Sequence, residues 1–210
     1  MFRGPIVELV PGAGARLFES PSIDGWSFLL LLSGIACFGV FTWGARAHFV
    51  RDRTAVAMHA LFLLSLAGMA VFLFALWRAP AAADWRRAVG FCLHLLAIVL
   101  FGWAVLATRQ NRPALAFAGD RPDHLFRSGP YAYMRHPFYT SYLLFWLGCA
   151  LGASSVILMI LFPALTAIYT VAAVGEERDF SRSAIHAEYE AFRRETGFFW
   201  PKLRLARRQP

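Results

Sequence analysis

Gly129-Pro130-Tyr131-Ala132-Tyr133-Met134-Arg135-His136-Pro137-Phe138-Tyr139 is the stretch on which the reading of this chain turns. It sets an arginine, a histidine, three tyrosines and two prolines at the junction between a polar loop and a long apolar run. Polar and charged groups are costly beside lipid, so such a cluster at the mouth of a hydrophobic segment points to a use. A second cluster, Glu176-Glu177-Arg178-Asp179, stands where that apolar run ends. A run that folds back as a hairpin brings its two ends together, and the active site is expected where the clusters meet.

The surrounding chain fixes the class. Its 210 residues are 58% hydrophobic with a mean hydropathy of +0.50. Only 16% are charged, against about a quarter in soluble domains. An all-α polytopic membrane protein follows. Trp26–Ala45, Ala55–Trp77 and Ala88–Ala107 are each close to the ~20 residues that cross a bilayer. The fourth run, Phe138–Val174, contains Gly152-Ala153-Ser154-Ser155, which reads as a turn. It predicts a helical hairpin of 138–151 and 156–174, and five crossings in all. The first arm spans only ~21 Å at 1.5 Å per residue, so it extends upstream, tilts, or leaves its entrance recessed; a recessed Arg135-His136-Pro137 would suit a site at the lipid–water boundary. Beyond Gly175, Phe180, Ile185, Tyr189 and Phe192 recur at near-helical spacing among charges and predict an amphipathic helix over 177–195. Gly197-Phe198-Phe199-Trp200-Pro201 reads as an aromatic patch of the kind that favours the membrane interface. The whole is one integral membrane domain: an N-terminal segment 1–24, three membrane helices with their loops over 25–124, and a core over 125–202.

Net charge is +8 and Lys202 is the only lysine. Excess arginine serves nucleic-acid binders, but here the arginines flank apolar runs, as topology requires. Nucleic acid is therefore not an expected partner. Arg46, Arg51 and Arg53 after the first run, the arginines of 109–135, and those of the tail fall on one side. The positive-inside rule then sets the N-terminus outside and the C-terminus, with both polar clusters, in the cytoplasm. The Arg78–Arg87 loop argues modestly the other way. Glu8, Glu19 and Asp24 interrupt the first residues, which do not read as a cleaved signal peptide. Cys37, Cys92 and Cys149 fall inside apolar segments without ligand spacing, so neither a metal nor a disulfide framework is expected.

Pro137 suits the first turn of a helix, and Arg135-His136 ahead of it could be an ordinary basic anchor. Glu176 and Glu177 are harder to explain that way, because carboxylates at a helix C-terminus face the negative end of its dipole. An arginine opposite would repair this, either as a structural ion pair or as half of a site. In the second case a carboxylate takes a ligand amino group while Arg135 takes a ligand carboxylate. His94 lies mid-span and His59 near the start of a run; an intramembrane histidine raises a functional reading, against which a hydrogen bond to a neighbouring helix is preferred. Met58, Met69 and Met159 read as packing.

At these residues the chain resembles the isoprenylcysteine carboxyl methyltransferases and the wider group that includes membrane phospholipid methyltransferases. That group shows Gly-Pro-Tyr, then Arg-His-Pro with a Tyr one residue on, here Gly129-Pro130-Tyr131, Arg135-His136-Pro137 and Tyr139. An apolar hairpin follows, then a Glu pair, a Glu-Tyr pair and a Pro, here Glu176-Glu177, Glu188-Tyr189 and Pro201. The resemblance covers about 125–202. It departs at Ser141, where glycine is common, at Ile185-His186-Ala187, and at Phe192, often Tyr in the group. The resemblance implies binding of S-adenosylmethionine without a Rossmann fold, at the cytoplasmic face of the hairpin. It implies Gly129, Tyr131, Arg135, His136, Pro137, Tyr139, Glu177 and Tyr189 as cofactor contacts, and Arg135, Tyr139, Glu176 and Glu177 as the reacting centre. The acceptor it implies is a lipid or small apolar molecule reached from the bilayer, foremost a carboxylate such as that of a prenylated cysteine. A phospholipid amine or a thiol is the alternative acceptor. An NADPH-dependent relative of the sterol reductases and a non-catalytic scaffold are the readings from other classes.

Overall fold

The computed structural model describes residues 24–48, 56–78, 84–110, 113 and 124–202. Among these the chain is helical: α1 Gly25–Ala47, α2 Val56–Arg78, α3 Asp84–Thr108, α4 Pro137–Ala153, α5 Val156–Ser181 and α6 His186–Glu195. A 3₁₀ turn, Gly129–Ala132, leads into α4. The N-terminal segment, apart from Asp24, and Arg51 and Arg53 lie outside the described residues.

α1, α2, α3 and α5 are each long and apolar enough to cross a membrane. α4 has 17 residues, about 26 Å at 1.5 Å per residue, slightly short of the ~30 Å hydrocarbon core. The hairpin turn falls at Ser154-Ser155, and Ser154 closes α4 in the left-handed conformation with φ 50°. Two expected boundaries are corrected. α5 runs to Ser181 rather than stopping at Val174, so Glu176 and Glu177 sit in its last turns. The final helix begins at His186 rather than 177, after a break over 182–185. Glu, Arg and Ala are good helix formers, so α5 continues past the point where the apolar run ends.

α3 and α4 form the centre of the bundle. At their crossing a methyl group on Gly148 would stand 2.7 Å from His94 Cδ2 and 2.9 Å from the Gly90 carbonyl oxygen. Glycine lets these backbones approach as closely as membrane helices do when dispersion drives their packing. His94 is fully buried there; Ser33 Oγ of α1 lies 2.9 Å from its Nδ1 and Cys149 Sγ of α4 3.5 Å from its Nε2. It bridges three helices, as a hydrogen-bonded intramembrane histidine is expected to. Phe41, Phe72, Phe101, Phe145 and Trp146 fill the remaining core.

The bundle has two distinct ends. At one, Asp24 caps α1 by accepting from Ser27 N at 2.8 Å and pairs with buried Arg87 of α3. At the other, His48 Nε2 meets Thr108 Oγ1 at 2.8 Å, tying α1 to α3 beside the entrance of α4 and the last turns of α5.

Candidate functional site

The site is assembled from four stretches of chain at this second end. Gly129 opens the 3₁₀ turn with φ +59°, and a methyl group there would lie 2.8 Å from Ala107 Cβ. Glycine meets both constraints, the positive φ and the close approach to α3. The turn buries Tyr131 against Phe126, with ring centroids 5.4 Å apart. Burial pushes the Tyr131 phenol above its usual range, and the nearby Glu176 carboxylate adds to this. Pro137 then starts α4 at its first turn, where the missing N–H costs nothing.

Arg135 and His136, just ahead of Pro137, face Glu177 of α5. Arg135 Nε donates to Glu177 Oε1 at 2.6 Å, and His136 Nε2 lies 3.2 Å from the same oxygen. Arg193 Nε of α6 approaches Glu177 Oε2 at 3.8 Å. The Arg135 and Glu177 side chains are only 10% and 13% exposed, so removing either would strand a nearly buried charge. Glu176 accepts from the Tyr139 hydroxyl and stands 3.6 Å from His136 Nδ1, yet its side chain is 37% exposed. One carboxylate is thus locked among cations, and the other, held by Tyr139 and His136, is the more exposed of the two. Tyr189 of α6 stacks on Phe180 with centroids 5.0 Å apart, and its hydroxyl is buried without a hydrogen-bond partner. Burial and the Glu177 charge push that phenol up as well.

Arg135, His136, Tyr139, Glu176 and Glu177 therefore form one cluster, with Tyr131 and Tyr189 at its margins. Gly129 does not join it; its contacts are with α3. The segment after α6 also proves to belong here. Sequence read 197–201 as an interfacial aromatic patch. Instead Gly197 bridges Met134 in parallel, Arg135 N donates to Gly197 O at 2.9 Å, and Gly197 N donates to Tyr133 O at 2.9 Å. Arg135 Nη1 donates to Thr196 O at 2.6 Å, and its guanidinium lies over the Phe198 ring at 5.5 Å. Only Trp200 keeps an interfacial character, at 76% exposed. The one sequence signal was Gly197 between bulky neighbours: a methyl group there would overlap the Trp200 carbonyl oxygen.

The family model described as phospholipid methyltransferase matches residues 85–184, from α3 through both polar clusters. Over that stretch the chain is similar to the membrane methyltransferases, the group that includes the isoprenylcysteine carboxyl enzymes. No curated protein matches it. The match to a membrane-methyltransferase model agrees with the four helices that are long and apolar enough to cross a membrane. The matched span ends at residue 184, so α6 and the segment after it lie beyond it.

Proposed function

We infer that this protein transfers a methyl group from S-adenosylmethionine to a lipidic or small apolar acceptor, at the end of the bundle where Arg135, His136, Tyr139, Glu176 and Glu177 converge. The observation that carries this is the division of labour between the two glutamates: Glu177 is consumed by Arg135 and His136, while Glu176, held by Tyr139, keeps an exposed face. The residues fit the amino-acid end of the cofactor. Glu176 offers an acceptor for an ammonium group. Among the described residues nothing takes Nη2 of Arg135, and the Tyr189 hydroxyl is a buried group without a partner. Buried polar atoms are rarely left unpaired, so the Tyr189 hydroxyl supports a ligand there.

Bound there, the cofactor supplies an electrophilic sulfonium methyl for in-line displacement. The chain's part is alignment and exclusion of water, which together account for large rate gains when charge is cancelled in the transition state. Arg135 and His136 fix the polar end. The stacked Tyr139 and Tyr169 rings, 5.6 Å apart, wall the apolar side. A carboxylate acceptor is already ionised at neutral pH and needs no base, which matches a site whose carboxylates are largely engaged. Glu176 favours the second reading: it is the more exposed carboxylate of the pair and could take a proton from an amine acceptor.

The deciding assay reconstitutes the protein in liposomes with S-adenosylmethionine carrying a labelled methyl group and offers farnesylated cysteine and an aminophospholipid separately. Label in a base-labile ester supports the carboxylate acceptor, and label on the headgroup supports the amine. Label in neither, from protein that binds S-adenosylhomocysteine, would overturn both acceptor classes. The remaining reading of topology rests on the apolar runs for its five crossings and on the distribution of arginine for the site's cytoplasmic face. Cysteine labelling from either side of sealed vesicles at Trp200 and at Trp85, exposed at opposite ends of the bundle, tests it.

A further inference from the structure

The segment Thr196–Lys202 closes over the two basic residues of the site from outside the matched region. Four backbone hydrogen bonds lash it to 133–136: Arg135 N to Gly197 O, Gly197 N to Tyr133 O and Lys202 N to Tyr133 O, each 2.9 Å, and His136 N to Phe198 O at 3.3 Å. Thr140 Oγ1 of α4 donates to Phe199 O at 3.0 Å. On the side-chain level one ring serves both basic residues. Phe198 lies 5.5 Å beneath the Arg135 guanidinium and 4.8 Å from the His136 ring at 62°. Thr196 O and Arg193 O take Arg135 Nη1 at 2.6 and 3.3 Å.

The acceptors of Nη1 come from the end of α6 and the start of this segment, and Glu177 alone fixes Nε. An arginine held on two edges and one face leaves Nη2 as the end that no acceptor among the described residues takes. Its direction is set by the strap.

We propose that Phe198 is a positioning residue: the strap aims Arg135 Nη2 and the His136 ring at the cofactor, so that cofactor affinity is set by residues beyond the matched span. The inference rests on the methyltransferase reading above. Phe198 does not touch reacting atoms; it acts through Arg135 and His136. Its effect belongs in cofactor affinity and not in the chemical step.

The test measures S-adenosylhomocysteine binding by calorimetry, and turnover at saturating cofactor, for the detergent-solubilised full chain and three variants. Phe198→Leu keeps apolar volume and loses the ring face. Phe198→Tyr restores the ring, and Trp200→Ala removes the exposed neighbour. Loss of a cation–ring contact corresponds to a weakening of about five- to tenfold. The expected pattern is that loss in Phe198→Leu, with saturated turnover and thermal midpoint near wild type, rescue by Phe198→Tyr, and no change in Trp200→Ala. Unchanged affinity in Phe198→Leu would overturn the proposal. Equal weakening in Leu and Tyr would reduce Phe198 to packing, and equal weakening in Trp200→Ala would make the strap a membrane anchor. Absence of binding in folded wild type would remove the cofactor reading itself, and is seen before any variant is compared.

Discussion

Each end of the bundle buries an arginine, and the two are held in opposite ways. Arg87, 1% exposed, has one carboxylate, Asp24, which is also committed to capping α1. Its Nε is buried with no acceptor. There donors outnumber acceptors, and the pair pins α1 to α3. Arg135 has a carboxylate, two carbonyls and a ring around it, delivered by α5, α6 and the strap. A second carboxylate, Glu176, is left partly open beside it. A buried arginine is thus no mark of function by itself. Convergence of several chain segments, with acceptors left over, separates a site from a staple.

The comparison breaks most sharply at Arg135. Arg135→Ala should lower methyl transfer at least ~10³-fold, a loss of about 4 kcal/mol of transition-state stabilisation, in protein that still extracts as a monodisperse species. Retained activity would make this end a staple as well. Asp24→Ala is the mirror experiment. It strands a buried cation at a cost of about 3–5 kcal/mol in stability, while turnover per folded molecule stays at the wild-type level. Thermal unfolding in detergent alongside initial rates reads both quantities, and a fall in turnover without loss of stability would contradict the division of the two ends.

Smaller effects sharpen the contrast. Gly148→Val pushes α3 from α4 and should cost about 1–3 kcal/mol through overpacking, read as a lower unfolding midpoint. Tyr189→Phe should leave the ligand-free protein as stable as before or more so by under ~1 kcal/mol, because an unpaired buried hydroxyl is removed. The same change should weaken S-adenosylhomocysteine binding by about tenfold, or ~1.4 kcal/mol. A destabilised protein with unchanged affinity would assign that hydroxyl a structural partner instead.

These contrasts also mark what sequence can carry. The Arg135–Glu177 meeting was legible because two polar clusters bounded one apolar hairpin, and a tight turn at Ser154-Ser155 leaves such ends little choice. The end of α5 was misread because hydropathy reports where lipid would stop, whereas the helix stops where Arg182 and Ser183 turn the chain. The pairing of the strap with 133–136, and the Asp24–Arg87 pin, left little trace in the sequence beyond Gly197. Both join segments about 60 residues apart through backbone or single side-chain contacts, and neither leaves a periodic pattern in the chain. In Phe198 the aromatic character was visible, but not whether lipid or Arg135 would claim its ring.

The most direct test of the central claim is calorimetric titration of S-adenosylhomocysteine into the detergent-purified protein, wild type beside Arg135→Ala. The account predicts micromolar binding in the wild type and its loss in the variant. Failure of folded wild-type protein to bind, or equal binding by the variant, would contradict it.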